Sequence, residues 1–387
     1  MTEDSSKQFD ALALTRVMDG PIGDDSTKAF EIISNQELGP LSAQYQDFQK
    51  RSDVSWEVTY RLIKKIGEGG QGVVYLADRV GAHGASFRLA LKIFSPDPYQ
   101  SHEMYDQEMA RLARVGMKLA KIQQDHLLDI HNIMMSDGIE MMVMEWVEGY
   151  DLSHLMKLET FNRLKKNVAQ GTWEYINDVI ATKQGNGVRI KPGVAIAILR
   201  DCLSGVAALH EKRIVHADLK PSNIMVKLTG NSKIIDFGSA YALDELPSRR
   251  TWTPRYAAPE LLLGSPYSIS SDLASLGYIL LEMLTGVTPF RNVKTIKELT
   301  QAKLDLPGQL KNQLPKDLQK DEFLVGLIQG LIAPDPKQRF PSAVAADLEK
   351  VGAAEIHRHL IKANLASEYE HDLKTWLCAL NAMEHQQ

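Results

Sequence analysis

The run His216-Ala217-Asp218-Leu219-Lys220-Pro221-Ser222-Asn223 is followed, eighteen residues after Asp218, by Asp236-Phe237-Gly238. Two short segments between strand-like runs thus carry two carboxylates, an amide, a lysine and a histidine. Chemistry that moves a phosphoryl group needs such a set. One carboxylate orients a hydroxyl, a second carboxylate and an amide hold a divalent cation, and a fixed cation meets the migrating charge. Mg²⁺ suits these residues because it takes one or two protein carboxylates and completes its shell with phosphate oxygens and water. His216 has two readings, a general base or a structural ring.

Upstream, Gly67-Glu68-Gly69-Gly70-Gln71-Gly72-Val73-Val74 places glycine at the first, third and sixth positions. The same spacing occurs in dinucleotide-binding folds, where a helix follows the last glycine and an acidic residue stands about 20 positions on. Here Val73-Val74-Tyr75-Leu76-Ala77 follows, a β-branched and aromatic run that reads as a strand, as does Tyr60–Ile66 before the glycines. A glycine-rich hairpin between strands can lay backbone N–H groups over phosphates, because glycine allows close approach and positive φ. Next, Leu89-Ala90-Leu91-Lys92-Ile93-Phe94 sets a lysine in an apolar strand. Its head either snorkels to water at a sheet edge or meets a buried anion.

Taken together, these segments resemble the signature set of the eukaryotic-type (Hanks-type) serine/threonine protein kinases. The resemblance implies an α+β, bilobal fold, with a small antiparallel-sheet lobe carrying one helix and a larger, mainly helical lobe. It implies ATP and Mg²⁺ or Mn²⁺ as the nucleotide and metal. Asp218 would take the substrate hydroxyl's proton, Lys220 would contact the γ-phosphate, and Asn223 and Asp236 would hold the metal. Lys92 would meet the α- and β-phosphates and pair with a helical glutamate, Glu108, with Glu103 as the runner-up. Ile66, Gly67, Gly69, Gly72, Val74, Ala90 and Met225 would line the nucleotide pocket.

Glu140–Gly149 reads as a buried strand leaving through a glycine, and resembles the strand that enters the interlobe hinge. Met144 would be the gatekeeper, backbone groups of Glu145 and Val147 would meet adenine, and Asp151 would reach the ribose. Met141, Met142 and Met144 read equally well as adaptable core packing. Phe237, His216, Leu112 and Ile130 are expected to form an apolar column joining the lobes. Asp272 would anchor the catalytic-loop backbone, with a helix N-cap as its other reading. Ala257-Ala258-Pro259-Glu260 resembles the motif that closes the activation segment, and Glu260 would pair with Arg339. Thr253-Pro254-Arg255-Tyr256 and Lys220 resemble the serine/threonine branch, with Thr253 bonded to Lys220 and Asp218.

Three departures stand out. Ala217 replaces the arginine that would receive a phosphorylated activation-loop residue, which leads to the expectation of activity independent of such a phosphate; Thr251 is the candidate autophosphorylation site. Trp252 stands where glycine is common, and Ala274 where tryptophan is frequent. The alternatives are a pseudokinase scaffold and a small-molecule kinase; the Ala-Pro-Glu motif with its arginine argues against the second.

The 387 residues, 44% of them hydrophobic, can fill a sizeable core, and a net charge of −5 gives no hint of nucleic-acid binding. Only Cys202 and Cys378 are present, too few for a disulfide framework or zinc site. No apolar stretch of 18 residues occurs and the start has no signal-peptide pattern, so neither a membrane span nor secretion is expected, and the reading is cytoplasmic. The expected organisation is an extension at 1–55, mobile or regulatory, a small lobe at 56–148, a large lobe at 149–350 and a helical tail at 351–387. Partner contacts are expected through the extension and through 158–192, which is longer than usual and reads as a helix and a surface turn. Val344 to Met383 reads as helix.

Overall fold

Strand periodicity and helix capping decide most of the architecture. A computed structural model describes residues 39–51, 58–245, 252–362 and 369–385. Helix α1 (Gly39–Lys50) belongs to the first of two units, Met1–Thr59. It exposes Leu41, Tyr45 and Phe48 along one face. Residues 1–38 and 52–57 of the expected extension and its junction lie outside the described residues.

The second unit, Tyr60–Gln387, opens with a five-stranded sheet. Its strands are β1 (Thr59–Gly69), β2 (Gly72–Val80), β3 (Ser86–Phe94), β4 (Ile130–Ser136) and β5 (Ile139–Glu145), in the spatial order β1-β2-β3-β5-β4. β3 pairs antiparallel with β2 and β5, which sets Val74 opposite Lys92 and Ala90 opposite Met144. Side chains alternate faces along a strand. Leu89 and Leu91 therefore pack with Ala77 and Val143 on one face, while Ala90 and Phe94 join the main core on the other. Lys92 falls on that second face, in a central strand and 6% exposed, so the sheet-edge reading does not apply. Gly72 turns the hairpin at φ +136°, and a Cβ there would lie 2.0 Å from the Ile93 carbonyl.

Helix α2 (His102–Leu119) starts where the Ser101 side chain accepts from the Met104 amide. Tyr105, Glu108, Met109, Leu112 and Val115 recur on its buried face. The chain then leaves the sheet through β6 (Gly149–Asp151) and α3 (Leu152–Leu155), α4 (Leu158–Asn167) and α5 (Gln170–Tyr175). A π-turn at Ile176–Ile180 leads into the hairpin of β7 (Ala181–Gln184) and β8 (Gly187–Ile190). The expected helix and turn at 158–192 are thus joined by a strand pair. Phe161, Leu164, Ile176, Ile180, Val188 and Ile190 are all fully buried, so the segment is in large part core.

Helix α6 (Pro192–Glu211) takes Pro192 at its first turn and is long and apolar enough to cross a membrane. It is the one described helix to pass that test, and most of it is buried, as a core helix would be. The short strands β9 (Ile214–Val215), β10 (Ile224–Lys227), β11 (Ser232–Ile234) and β12 (Tyr241–Ala242) carry the loops between them. β10 lies between β11 and β6, with Met225 opposite Asp151. Helices α7 (Pro259–Leu262), α8 (Ile269–Thr285), α9 (Ile296–Gln313) and α10 (Glu322–Ile332) complete the lobe around α8, which is buried along nearly its whole length.

The single helix expected over Val344–Met383 is corrected to three: α11 (Ala343–Leu348), α12 (Ala353–Lys362) and α13 (Tyr369–Glu384). Gly352, a poor helix residue, sits at the first break and its amide bonds Glu349. Residues 363–368 of that stretch lie outside the described residues. The last helices are no loose tail: Ile356, Leu373, Trp376, Leu377 and Leu380 are at most 1% exposed within the large-lobe core.

Candidate active site

The catalytic-loop segment is held open by one buried carboxylate. Asp272 accepts from the His216 amide (3.0 Å), the Ala217 amide (3.1 Å), the Tyr267 hydroxyl (3.1 Å) and His210 Nε2 (2.9 Å). Burial alone would raise its pKa, but His210, His216 and these donors hold it below the usual carboxylate value. Asp272 is therefore the backbone anchor; the N-cap of α8 is Ser268. Ala217 takes φ +65°, a left-handed conformation that lets both amides face Asp272. His216 is structural: its Nε2 bonds the Ile235 carbonyl (3.1 Å) and its ring lies 5.5 Å from that of Phe237. Leu112 and Ile130 are buried in the same core.

Asp218 stands at the centre of a dense polar cluster. Its Oδ1 accepts from the Thr253 hydroxyl (2.7 Å) and amide (3.1 Å). Its Oδ2 lies 2.5 Å from Lys220 Nζ, which also reaches Thr253 Oγ1 at 3.4 Å. Asn223 donates its amide nitrogen to the Asp218 carbonyl (2.8 Å), which leaves its side-chain oxygen for another partner. Asp236 takes φ +63° and its Oδ1 accepts from Lys92 Nζ (2.6 Å) and the Gly238 amide (3.3 Å). Burial pushes the Asp236 carboxyl up, yet the Lys92 ammonium overrides this and brings it down to about 2.

The lysine's partner corrects the sequence reading. Lys92 donates to Asp236 and to Gln71 Oε1 (3.1 Å), whereas Glu108 accepts from Arg111 Nε (3.0 Å) and a terminal Arg111 nitrogen (2.6 Å). Both members of the second pair are buried on α2, and Arg111 also donates to the Ala240 carbonyl (3.0 Å). A guanidinium three residues along the helix outcompetes a lysine across the cleft because it can bond the carboxylate twice. Glu103, the runner-up, is exposed in the first turn and accepts from Gln107 (3.3 Å).

A cavity of about 920 Å³ brings every predicted nucleotide residue together. Ile66, Gly67, Gly69, Gly72 and Val74 come from the glycine-rich hairpin, Ala90, Lys92 and Glu108 from β3 and α2. Met144, Glu145, Val147 and Asp151 line it from the hinge, and Met225 from β10, together with Asp218, Lys220, Asn223 and Asp236. The Glu145 amide bonds the Asp129 carbonyl (3.0 Å), and its side chain is held by Lys233 and the Asp129 amide. Asp151 Oδ1 caps α3, accepting from the His154 amide (2.9 Å) and the Ser153 hydroxyl. Glu260 and Arg339 form the expected buried pair, with bonds of 2.8 and 2.7 Å. Thr251 lies outside the described residues.

Sequence reasoning missed Gln71. Its Oε1 accepts from Lys92, its Nε2 donates to Ser239 Oγ (3.3 Å), and a Cβ on Gly238 would lie 1.8 Å from that Oε1. A larger residue at 238 would push the flexible Gln71 side chain aside. A polar residue among loop glycines was the available signal.

A divalent cation fits these residues. Asn223 and Asp236 both line the cavity and offer one amide and one carboxylate group, the sparse oxygen set that Mg²⁺ accepts. No cluster of three or more His, Cys, Asp or Glu that could bind a metal occurs among the described residues, so nothing here resembles a zinc cage.

Residues 60–349 match the protein kinase domain model, and the chain belongs to that family. It is 28% identical over 318 residues to the serine/threonine-protein kinase PknD of Chlamydia abortus, covering 75% of this chain and 31% of that protein. It is 30% identical over 241 residues to the probable serine/threonine-protein kinase PknB of Lactococcus lactis, covering 60% and 32%. The tyrosine-protein kinase MasK of Myxococcus xanthus is 26% identical over 303 residues, covering 74% and 41%. The chain spans between about a third and two-fifths of the length of these relatives.

Proposed function

We propose that this chain transfers the γ-phosphoryl group of ATP to serine or threonine hydroxyls of proteins. The observation that carries the reading is the Asp218–Lys220–Thr253 cluster facing Asn223 and Asp236 in one cavity. Adenine would meet the Glu145 carbonyl and Val147, between Ala90 and Met225, with Met144 behind. Lys92, released from Asp236, would meet the α- and β-phosphates.

Asp218 accepts the proton as the hydroxyl oxygen bonds phosphorus, the β–γ bridge breaks and ADP leaves. Its carboxylate is oriented for this by Thr253, and Lys220, 2.5 Å from Asp218 Oδ2, would meet negative charge on the moving phosphoryl. Asn223 and Asp236 would hold the cation, Mg²⁺ or Mn²⁺, which when bound neutralises charge between the phosphates. Thr253 at hydrogen-bonding distance from both Asp218 and Lys220 favours serine and threonine over tyrosine as acceptors.

Ala217 supports transfer that does not wait for a phosphorylated activation segment: a buried methyl group cannot receive a phosphate. A Thr251→Ala protein is then expected to keep most of its activity, and near-complete loss would contradict this. The acceptor is tested by phosphoamino-acid analysis of a random peptide library after reaction with labelled ATP. Phosphoserine and phosphothreonine are expected; phosphotyrosine alone would move the chain toward MasK. A second reading, a nucleotide-gated scaffold, draws on the Glu108–Arg111 pair, and absence of transfer despite ATP binding would favour it.

A further inference from the structure

The final turn of α13 delivers a carboxylate to the nucleotide cleft from beyond the matched domain segment. Glu384 lines the same cavity as Tyr150, Asp151 and His154. Its Oε1 lies 3.5 Å from His154 Nε2, and the His154 ring stacks on Tyr150 with centroids 5.4 Å apart. His154 Nε2 is buried and makes no hydrogen bond to a described residue, so it meets Glu384 through charge only; Glu384 also accepts from the Tyr150 hydroxyl, and a carboxylate with about four acceptor sites keeps lone pairs for a further donor. Burial, and then the charge of Glu384, push the Tyr150 phenol well above its usual value, which agrees with a carboxylate at this edge.

The helix that carries Glu384 is anchored in the core. Leu373, Trp376, Leu377 and Leu380 anchor α13 in the core, the Tyr175 hydroxyl donates to Asp372, and Glu384 keeps about a third of its side chain exposed. Asp151, which the sequence assigns to the ribose, spends Oδ1 on capping α3. A carboxylate only accepts hydrogen bonds and repels phosphate. The donors of a nucleotide it can favour are the adenine amino group and the sugar hydroxyls; with adenine placed against the hinge at Val147, the sugar hydroxyls are the donors left on the side of Asp151 and Tyr150.

We propose that Glu384 is a specificity-determining residue for the nucleotide, accepting a hydrogen bond from a ribose hydroxyl. The proposal rests on the ATP reading above. A charge-assisted bond at a partly exposed site is worth about tenfold in affinity.

The test is equilibrium titration of the full chain with ATP and with 2′,3′-dideoxy-ATP, using wild type, Glu384→Ala and Glu384→Gln. The expected result is about tenfold weaker ATP binding by the alanine variant, a smaller loss for glutamine, and less than about twofold change for the dideoxy nucleotide with either. Unchanged ATP affinity, or an equal loss for both nucleotides, overturns the role of Glu384 and leaves the ATP reading standing. A wild-type chain that binds neither nucleotide overturns both.

Discussion

Lys92 Nζ lies 2.6 Å from Asp236 Oδ1, while Glu108 is bound by Arg111. Two pairs, of which only Glu108–Arg111 is buried on both sides, thus stand where the sequence leads one to expect a single Lys92–Glu108 bridge. Removing one partner of a buried pair leaves an uncompensated charge and costs about 3 kcal/mol or more, whereas removing both costs far less. Arg111→Met should therefore be strongly destabilising and Glu108→Gln/Arg111→Met should recover much of the loss. Denaturant midpoints of the two single variants and the double variant measure the coupling; additive losses would contradict it.

Gln71 bridges Lys92 and Ser239 in the space where the phosphates of a bound nucleotide would lie. Nucleotide entry must break those bonds, each worth about 0.5–1.5 kcal/mol. Gln71→Ala is accordingly expected to tighten ATP binding by about fivefold to about a hundredfold. Isothermal titration against wild type checks it, and weaker binding by the variant would mean that Gln71 helps to hold the nucleotide.

His357 accepts at Nδ1 from Arg200 (2.9 Å), itself bound to Asp347 (2.8 Å). Burial first, and then the Arg200 charge, lower its pKa from 6.5. The folded chain then binds fewer protons than the unfolded one once the pH falls below that value. The contribution of His357 to stability is full above pH 6.5 and is lost as the pH falls through the folded pKa. His357→Gln keeps an acceptor and does not titrate. Urea unfolding between about pH 7.5 and about pH 5 should therefore cost wild type more than the variant; parallel losses would contradict this.

The site was legible in the sequence wherever a motif is local. Asp218 to Asn223 lie on one loop, and Gly67 to Val74 on one hairpin, so spacing alone carries their geometry. Asp272 was readable as an anchor only through the family resemblance, since its place at the start of an apolar helix fits an N-cap equally well. What failed to show was competition between distant partners. Arg111 stands three residues from Glu108, a visible pairing pattern, yet only the packed structure decides that it wins over Lys92. The β7–β8 hairpin hides in a polar stretch because its four-residue strands carry too few apolar positions to declare a period. Glu384 gave no local signal at all, because its place depends on how α13 packs some 230 residues away from His154.

The most direct measurement compares the initial rate of phosphoryl transfer to a serine/threonine peptide library by wild type and Asp218→Asn, with ATP affinity measured on both. The account predicts a fall of about 10²- to 10⁴-fold in rate with affinity held within about threefold. A wild-type chain that binds ATP yet transfers no faster than the asparagine variant would contradict it.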